Sequence, residues 1–145
     1  MPENEEQKKF EELLVKDFPL LYRDMRGDPK KTCMAWGVSV EKGWYKIIYT
    51  LSEKLENMIK ALPVEEQENY AAAQIKEKFS QLRFYMTCQT TEMTKAIHEA
   101  EEKSSKTCEK CGEDGSTRKL PWILTLCDEH HKEELERLRN LGIKI

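Results

Sequence analysis

Cysteine and histidine residues near the C-terminal end of the sequence have the spacing of a metal-binding motif. Two residues separate Cys108 from Cys111, fifteen residues follow, and two residues again separate Cys127 from His130. Two short turns that each present two such ligands can surround one small ion tetrahedrally, as in structural zinc sites. His131 would give a spacing of three residues instead of two, and we take His130 as the fourth ligand. The spacing therefore predicts a Zn²⁺ site.

The predicted ion is structural rather than catalytic. Four strong ligands leave the metal without the open coordination position that a catalytic zinc needs. The sequence contains neither a Gly-rich phosphate loop nor a Gly-x-Ser-x-Gly nucleophile elbow. His98 lies beside an apolar helical stripe, where a single histidine is ordinarily a surface or core-edge residue. The sequence thus predicts a protein that is not an enzyme.

A second group of residues has the chemistry of an anion site. Residues 74–88 alternate between polar and apolar side chains, which predicts a β-hairpin turning near residues 79–81. Pairing the two strands in this way places three cations and an aromatic ring on one face, namely Lys76, Lys78, Arg83 and Tyr85. Such a face can hold a phosphate-bearing ligand or a nucleotide base. A solvated outer face, where exposed strands usually carry charge, accounts for these residues more simply, and both interpretations stay open here.

Helices must position both groups of residues. Apolar residues recur on one face from Trp44 to Leu62, just before Pro63, and this pattern predicts the central core helix. Further amphipathic patterns predict helices over about residues 3–17, 91–106 and 128–141, the last with Glu133 paired to Arg137. Residues 33–43 predict either a short strand or an ordered loop.

These elements predict an α+β fold that is mostly helical and contains a small antiparallel β-hairpin. We expect a helical and β core domain over residues 1–105. Residues 106–145 would form a zinc-binding module of treble-clef or ribbon type, packed on that core.

The composition predicts a folded protein without a strong electrostatic field. The chain has 24 basic and 27 acidic residues and a net charge of −3, so nucleic-acid binding would need a local patch and is not favoured. The N-terminal residues lack the apolar core of a signal peptide, and no apolar run approaches the roughly 20 residues of a membrane span. We therefore expect a cytosolic protein. Five cysteines favour metal over disulfides and leave Cys33 and Cys88 as free thiols, predicted to be buried.

Three stretches resemble a family of small, largely uncharacterised bacteriophage and prophage proteins that end in a zinc finger. They are CMAWG at 33–37 with GWY at 43–45, QIKEKFSQLRFY at 74–85, and AEEKSSKTCEKCG at 100–112 running on to LCD at 126–128. Relatives carry Gly-Gly in place of Ser80 and Gln81, and some have Cys in place of His130. The resemblance implies a phage protein in the host cytoplasm but brings no activity with it.

The zinc part alone is similar to the TraR/DksA-type finger. In that family a helical arm leading into the knuckle enters the secondary channel of RNA polymerase. The predicted helix over residues 91–106 likewise leads into the Cys108 knuckle. This similarity implies a possible partner but rests on the zinc motif only.

From these features we expect a non-enzymatic phage accessory protein that binds a host component. The expected target is a bacterial anti-phage defence system, inhibited through one of its proteins or through capture of its nucleotide signal. The alternative is a transcription or nucleic-acid regulator that binds RNA polymerase through a TraR/DksA-like zinc finger. A zinc-dependent hydrolase is disfavoured because the four ligands already fill the coordination sphere.

Overall fold

Helices packed on a small sheet, with a second hairpin near the C-terminus, make this an α+β fold, as predicted. The computed structural model describes residues 5–25, 27 and 33–144. The helices are α1 (Glu5–Asp17), α2 (Tyr45–Lys60), α3 (Val64–Gln67), α4 (Thr91–Ser104) and α5 (Asp128–Asn140). The strands are β1 (Val38–Ser39), β2 (Ala72–Lys78), β3 (Gln81–Met86), β4 (Ser116–Lys119) and β5 (Ile123–Leu126).

Helix α2 is the central element of the core, and its apolar stripe predicted this. One face of the helix is buried along its whole length, including Ile48, Leu51, Leu55 and Ile59. Residues at this spacing fall on one side because the helix turns every 3.6 residues. The buried face packs against α1 and α4. Trp44 is fully buried in a 3-10 turn, Lys42–Trp44, that leads into the helix.

The predicted hairpin is formed by β2 and β3. The strands pair antiparallel, with Lys76 opposite Arg83 and Gln74 opposite Tyr85. Phe79 and Ser80 form the two-residue connection, and both have positive φ, 53° and 61°. Positive φ at both central positions is the geometry of a type I′ turn, whose twist matches that of the flanking strands. The turn is therefore tight although neither residue is a glycine.

Residues 33–43 contain both a short 3-10 helix, Cys33–Trp36, and a short strand, β1. Strand β1 pairs in parallel with β2, with Val38 opposite Ile75, and the sheet order is β1-β2-β3. Of the two interpretations left open by the sequence, the strand is the one that applies to Val38 and Ser39. The pairing places β2 at the centre of the sheet.

Helix side chains close both edges of this sheet. On the β1 edge, the Val38 N–H donates to the Glu11 carboxylate over 2.7 Å, and the Gln7 amide donates to the Val38 carbonyl. On the β3 edge, the Leu82 N–H donates to Ser104 Oγ over 2.9 Å, and the Phe84 N–H donates to Glu101. Capped edges resist pairing with other chains, because unpaired backbone groups are what recruits a further strand.

Helix α4 begins where the sequence indicated. The Thr90 hydroxyl accepts the Met93 N–H, which makes Thr90 the N-cap. The apolar stripe of this helix, Met93, Ala96, Ile97 and Ala100, is buried. The helix packs between α2 and β3 and so leads from the core directly to Cys108.

Two local predictions are wrong. Cys88 is exposed rather than buried, because it follows β3 in the turn before α4. Arg137 pairs with Glu134 instead of Glu133, since the Glu134 carboxylate lies on the buried side of α5 and reaches the guanidinium from three residues away. The side chain of Cys33 lies outside the described residues.

Throughout the described part of the chain, every helix is too short or too polar to cross a lipid bilayer.

Candidate metal centre

The first pair of metal-ligand candidates sits in a knuckle that follows helix α4. The Gly112 N–H donates to the Cys108 carbonyl over 2.9 Å, and Gly112 adopts a φ of 82°, a conformation that glycine adopts without strain. The Cys108 N–H donates in turn to the Glu113 carbonyl. These bonds fold the backbone so that Cys108 and Cys111 face the same point.

The second pair is presented by the start of helix α5. Strands β4 and β5 form an antiparallel hairpin that returns the chain to Cys127, which is the N-cap of α5. Arg118 ties these elements together by donating to the Leu126 carbonyl and to the Asp128 carboxylate. A knuckle, a hairpin and a helix N-terminus are the parts of the treble-clef or ribbon type of module predicted for this region.

The four predicted ligands converge on one point. The Sγ atoms of Cys108, Cys111 and Cys127 and a ring nitrogen of His130 lie within 4.8 Å of one another. Cys111 Sγ is 3.8 Å from Cys127 Sγ, and His130 Nδ1 is 3.7 Å from Cys108 Sγ and 3.1 Å from Cys127 Sγ. Tetrahedral zinc gives separations of about 3.8 Å between sulfurs and about 3.5 Å between sulfur and nitrogen. The donor set and its spacing therefore fit a tetrahedral metal ion.

The thiols of the cluster differ in how readily they ionise. Burial of Cys108 raises its pKa, but hydrogen bonds from the backbone of Cys127, Cys111 and Lys110 outweigh this and lower the pKa to about 7. A backbone hydrogen bond from Glu113 lowers the pKa of Cys111, whereas partial desolvation and the neighbouring Cys108 and Cys127 raise it to about 11. Three thiols this close ionise together only when a cation balances their charge. The cluster is thus suited to a cation.

A carboxylate on the same helix lies near the far ring nitrogen of His130. Its Nδ1 faces the cysteines, while its Nε2 lies 3.9 Å from a carboxylate oxygen of Glu133. A carboxylate beside the far ring nitrogen of a metal-binding histidine helps to fix the ring and its tautomer. Glu133, predicted to pair with Arg137, is instead the outer neighbour of the candidate metal centre.

Buried hydrogen bonds join the metal-binding region to the core. The Gly43 N–H donates to the Glu109 carbonyl over 2.7 Å, and the indole N–H of Trp44 donates to the Thr107 carbonyl over 2.9 Å. Thr125 Oγ1 donates to the Ser80 carbonyl, in the β2–β3 turn, over 2.7 Å. A Cβ on Gly43 would lie 2.2 Å from the Cys108 carbonyl oxygen, so only glycine permits this approach.

Glu109 supports the same junction from inside the module. Its carboxylate accepts the Thr125 N–H over 2.7 Å, and Glu109 is almost fully buried. Burial raises the pKa of this carboxyl to about 7, against the opposing effect of the Thr125 hydrogen bond. The side chain therefore holds the knuckle to strand β5.

The predicted anion-binding residues lie together on the outer face of the hairpin. Lys76 is opposite Arg83, and its ammonium is 5.9 Å from the centre of the Tyr85 ring. Lys78 lies two residues further along β2, with its ammonium 5.8 Å from the centre of the Phe79 ring. Glu101, which approaches Arg83 to 4.0 Å, could not be predicted as a neighbour of this face, because the run Glu99 to Glu102 looks like a solvated helix face.

Comparison of the chain with protein-family models, curated proteins and solved structures finds no match. The phage-type resemblance and the RNA polymerase analogy are therefore still predictions.

Proposed function

We propose that the chain is a non-enzymatic binding protein whose Cys3His group holds a structural Zn²⁺. The convergence of all four ligand atoms within 4.8 Å is the observation that carries the metal assignment. Among the described residues, this is the one group of three or more Cys, His, Asp and Glu side chains arranged to hold a metal. With the coordination sphere filled by protein ligands, zinc stabilises the fold and leaves binding to other surfaces.

The proposed binding surface is the hairpin face of Lys76, Lys78, Arg83 and Tyr85. Three cations beside an aromatic ring favour an anionic partner, either a nucleotide or an acidic segment of a protein. In keeping with the phage-type resemblance, the partner would be a host component in the bacterial cytoplasm. Inhibition of an anti-phage defence system, by occupying one of its proteins or capturing its nucleotide signal, is the role we propose.

The alternative, a regulator that binds RNA polymerase, has less support. A TraR/DksA-like arm must project in order to enter a channel, whereas α4 packs against α2 and β3 and buries Met93, Ala96, Ile97 and Ala100. Exposing that apolar stripe to solvent would remove several buried side chains from the core and destabilise the fold. Helix α4, which leads to the knuckle, is therefore part of the packed core rather than a projecting arm.

Affinity capture from bacterial lysate, read by mass spectrometry, tests the proposal. The wild-type chain is compared with a Lys76→Glu/Arg83→Glu variant, and Lys46→Glu/Lys95→Glu provides the same charge change on exposed helix positions. We expect the hairpin variant alone to lose the captured defence protein.

Where no protein is captured, melting temperature in the presence of cyclic and ADP-ribose-type nucleotides is the second readout. A ligand present at a hundredfold its dissociation constant adds about 2.7 kcal/mol of stability. Capture of RNA polymerase would support the alternative function. Equal binding by both variants would contradict the assignment of the hairpin as the binding surface.

A further inference from the structure

A cleft separates the hairpin from helix α4, beside the face of Lys76 and Tyr85. It encloses about 430 Å³. This volume lies within the roughly 300–1,000 Å³ that small-molecule sites occupy in proteins. The hairpin supplies one wall, with Lys78, Phe79, Arg83 and Tyr85, and helix α4 supplies the other, with His98 and Glu101.

Two aromatic rings of the hairpin are exposed at this cleft. Phe79 is 71% exposed and Tyr85 is 42% exposed. The type I′ turn does not call for an aromatic residue, because positive φ at its first central position favours asparagine or glycine. Phe79 therefore carries a conformational cost without burying its ring. An exposed ring at the mouth of a cleft is a surface on which a nucleotide base can stack.

Cationic groups outnumber acidic ones around the cleft. The hairpin supplies the two cationic groups, Lys78 and Arg83, and helix α4 supplies the acidic one, Glu101. The Glu101 carboxylate accepts the Phe84 N–H over 3.1 Å and lies 4.0 Å from Arg83. Arg83 is thus oriented by one weak ion pair while it keeps guanidinium donors for a phosphate, which it can bind in a bidentate manner.

We propose that this cleft binds a nucleotide unit, with its base against Phe79 and its phosphate at Arg83 and Lys78. This inference rests on the proposed function, because it names the ligand class for the same hairpin. The size of the cleft favours a single nucleotide unit over a strand of nucleic acid, and the net charge of −3 gives no long-range attraction for a polyanion.

Isothermal titration calorimetry of the zinc-loaded full chain tests this recognition of base and phosphate together. The probes are the four ribonucleoside monophosphates, adenosine, which lacks the phosphate, and ribose 5-phosphate, which lacks the base. We expect at least one monophosphate to bind about tenfold more tightly than either fragment. A cyclic dinucleotide and ADP-ribose form a second arm, which distinguishes a free mononucleotide from a nucleotide unit within a larger signal.

Substitution of Phe79 localises the binding. Phe79→Asn removes the ring and suits the left-handed backbone, so the fold is preserved. We expect it to weaken nucleotide binding about tenfold. Trp122→Ala is the matched control, because Trp122 is also exposed and lies near a cation, Arg137, but belongs to the β4–β5 connection. We expect that variant to bind as the wild type does.

Amide chemical shifts in ¹⁵N-labelled protein provide an independent location, with changes expected at residues 78–85 and 97–101. The inference is overturned if no probe binds at about 10 mM, a concentration that reveals even millimolar affinity. Shift changes confined to other residues would also overturn it. Tight binding of an oligonucleotide would overturn it as well, if that binding is about a hundredfold tighter than for any mononucleotide and weakens steeply with salt. The ligand would then be a nucleic-acid strand.

These outcomes separate the inference from the proposed function. A host protein captured in a hairpin-dependent manner, with no nucleotide binding, retains the proposed function and overturns the nucleotide assignment. If neither hairpin-dependent capture of a host protein nor nucleotide binding is found, the proposed function and the nucleotide assignment are both overturned.

Discussion

Cys127 has two tasks at the start of helix α5. Its Sγ accepts the His130 N–H over 3.4 Å, which caps the helix, and also lies 3.1 Å from His130 Nδ1. The candidate metal ligand and the helix cap are therefore one atom. Successive residues of a helix are about 100° apart around its axis, so the ring of His131 starts from a different face. This geometry explains why His130 and not His131 joins the cysteines.

Paired substitutions test the ligand assignment. We expect His130→Ala and Cys108→Ser each to lower the zinc content and to reduce the free energy of unfolding by at least about 2 kcal/mol, because metal binding contributes to folding. Elemental mass spectrometry gives the zinc content, and urea denaturation gives the stability.

His131→Ala and Cys88→Ser are the matched controls, since both change the same residue types outside the cluster. We expect both to keep the zinc content and stability of the wild type. Full metal content and stability in Cys108→Ser would refute a structural metal site. Loss of zinc in His131→Ala instead of His130→Ala would reassign the fourth ligand.

Periodicity predicted the main elements because their burial is regular. The stripe from Trp44 predicted α2, and the alternation around Leu82 and Phe84 predicted β3, since each pattern reflects one buried face. Strand β1 has only two residues and depends on its pairing with Ile75 and Lys76, far along the chain. The local sequence pattern does not show which distant residues such a short strand pairs with.

The side chains that hydrogen-bond to the edges of the sheet were not predicted, for a related reason. The Ser104 hydroxyl is fully buried and accepts the Leu82 N–H from 22 residues away. A polar residue late in an amphipathic helix looks solvent-exposed until the neighbouring strand is placed beside it. The convergence of the four candidate metal ligands, in contrast, was predictable because their spacing encodes two local turns.

Ser104→Ala tests the cap on the β3 edge. The substitution leaves the Leu82 N–H without its Ser104 acceptor, and we expect a loss of about 1–3 kcal/mol in the free energy of unfolding. Ser105→Ala is the neighbouring control, because the half-buried Ser105 hydroxyl donates to the Glu102 carbonyl of the preceding helical turn and not to the sheet edge. Urea denaturation compares the two variants. Equal stability of both would show that the buried hydroxyl contributes nothing to the edge.

The metal-binding region and the core meet through three segments of the chain. Residues 42–44 approach the knuckle so closely that Gly43 has no room for a side chain, and Trp44 bonds to Thr107. Thr125 donates a hydrogen bond to Ser80 in the β2–β3 turn, and three residues separate the end of α4 from Cys108. A metal ion that fixes the knuckle therefore also supports the turn that carries Phe79.

Metal removal should consequently loosen parts of the core as well as the module. We expect chelation of the zinc-loaded protein to accelerate amide exchange not only over residues 106–127 but also at residues 42–45 and 80–82. Opening of the knuckle removes the Glu109 acceptor of the Gly43 N–H, the Thr107 acceptor of the Trp44 indole and the Thr125 donor to the Ser80 carbonyl, and so loosens these two segments. Hydrogen–deuterium exchange read by mass spectrometry measures this. Residues 55–60 provide an internal reference, because they lie at the other end of α2, up to about 24 Å along the helix axis from Trp44. Faster exchange confined to residues 106–145 would mean that the module opens independently, and the hairpin would then bind its partner equally well with or without the metal.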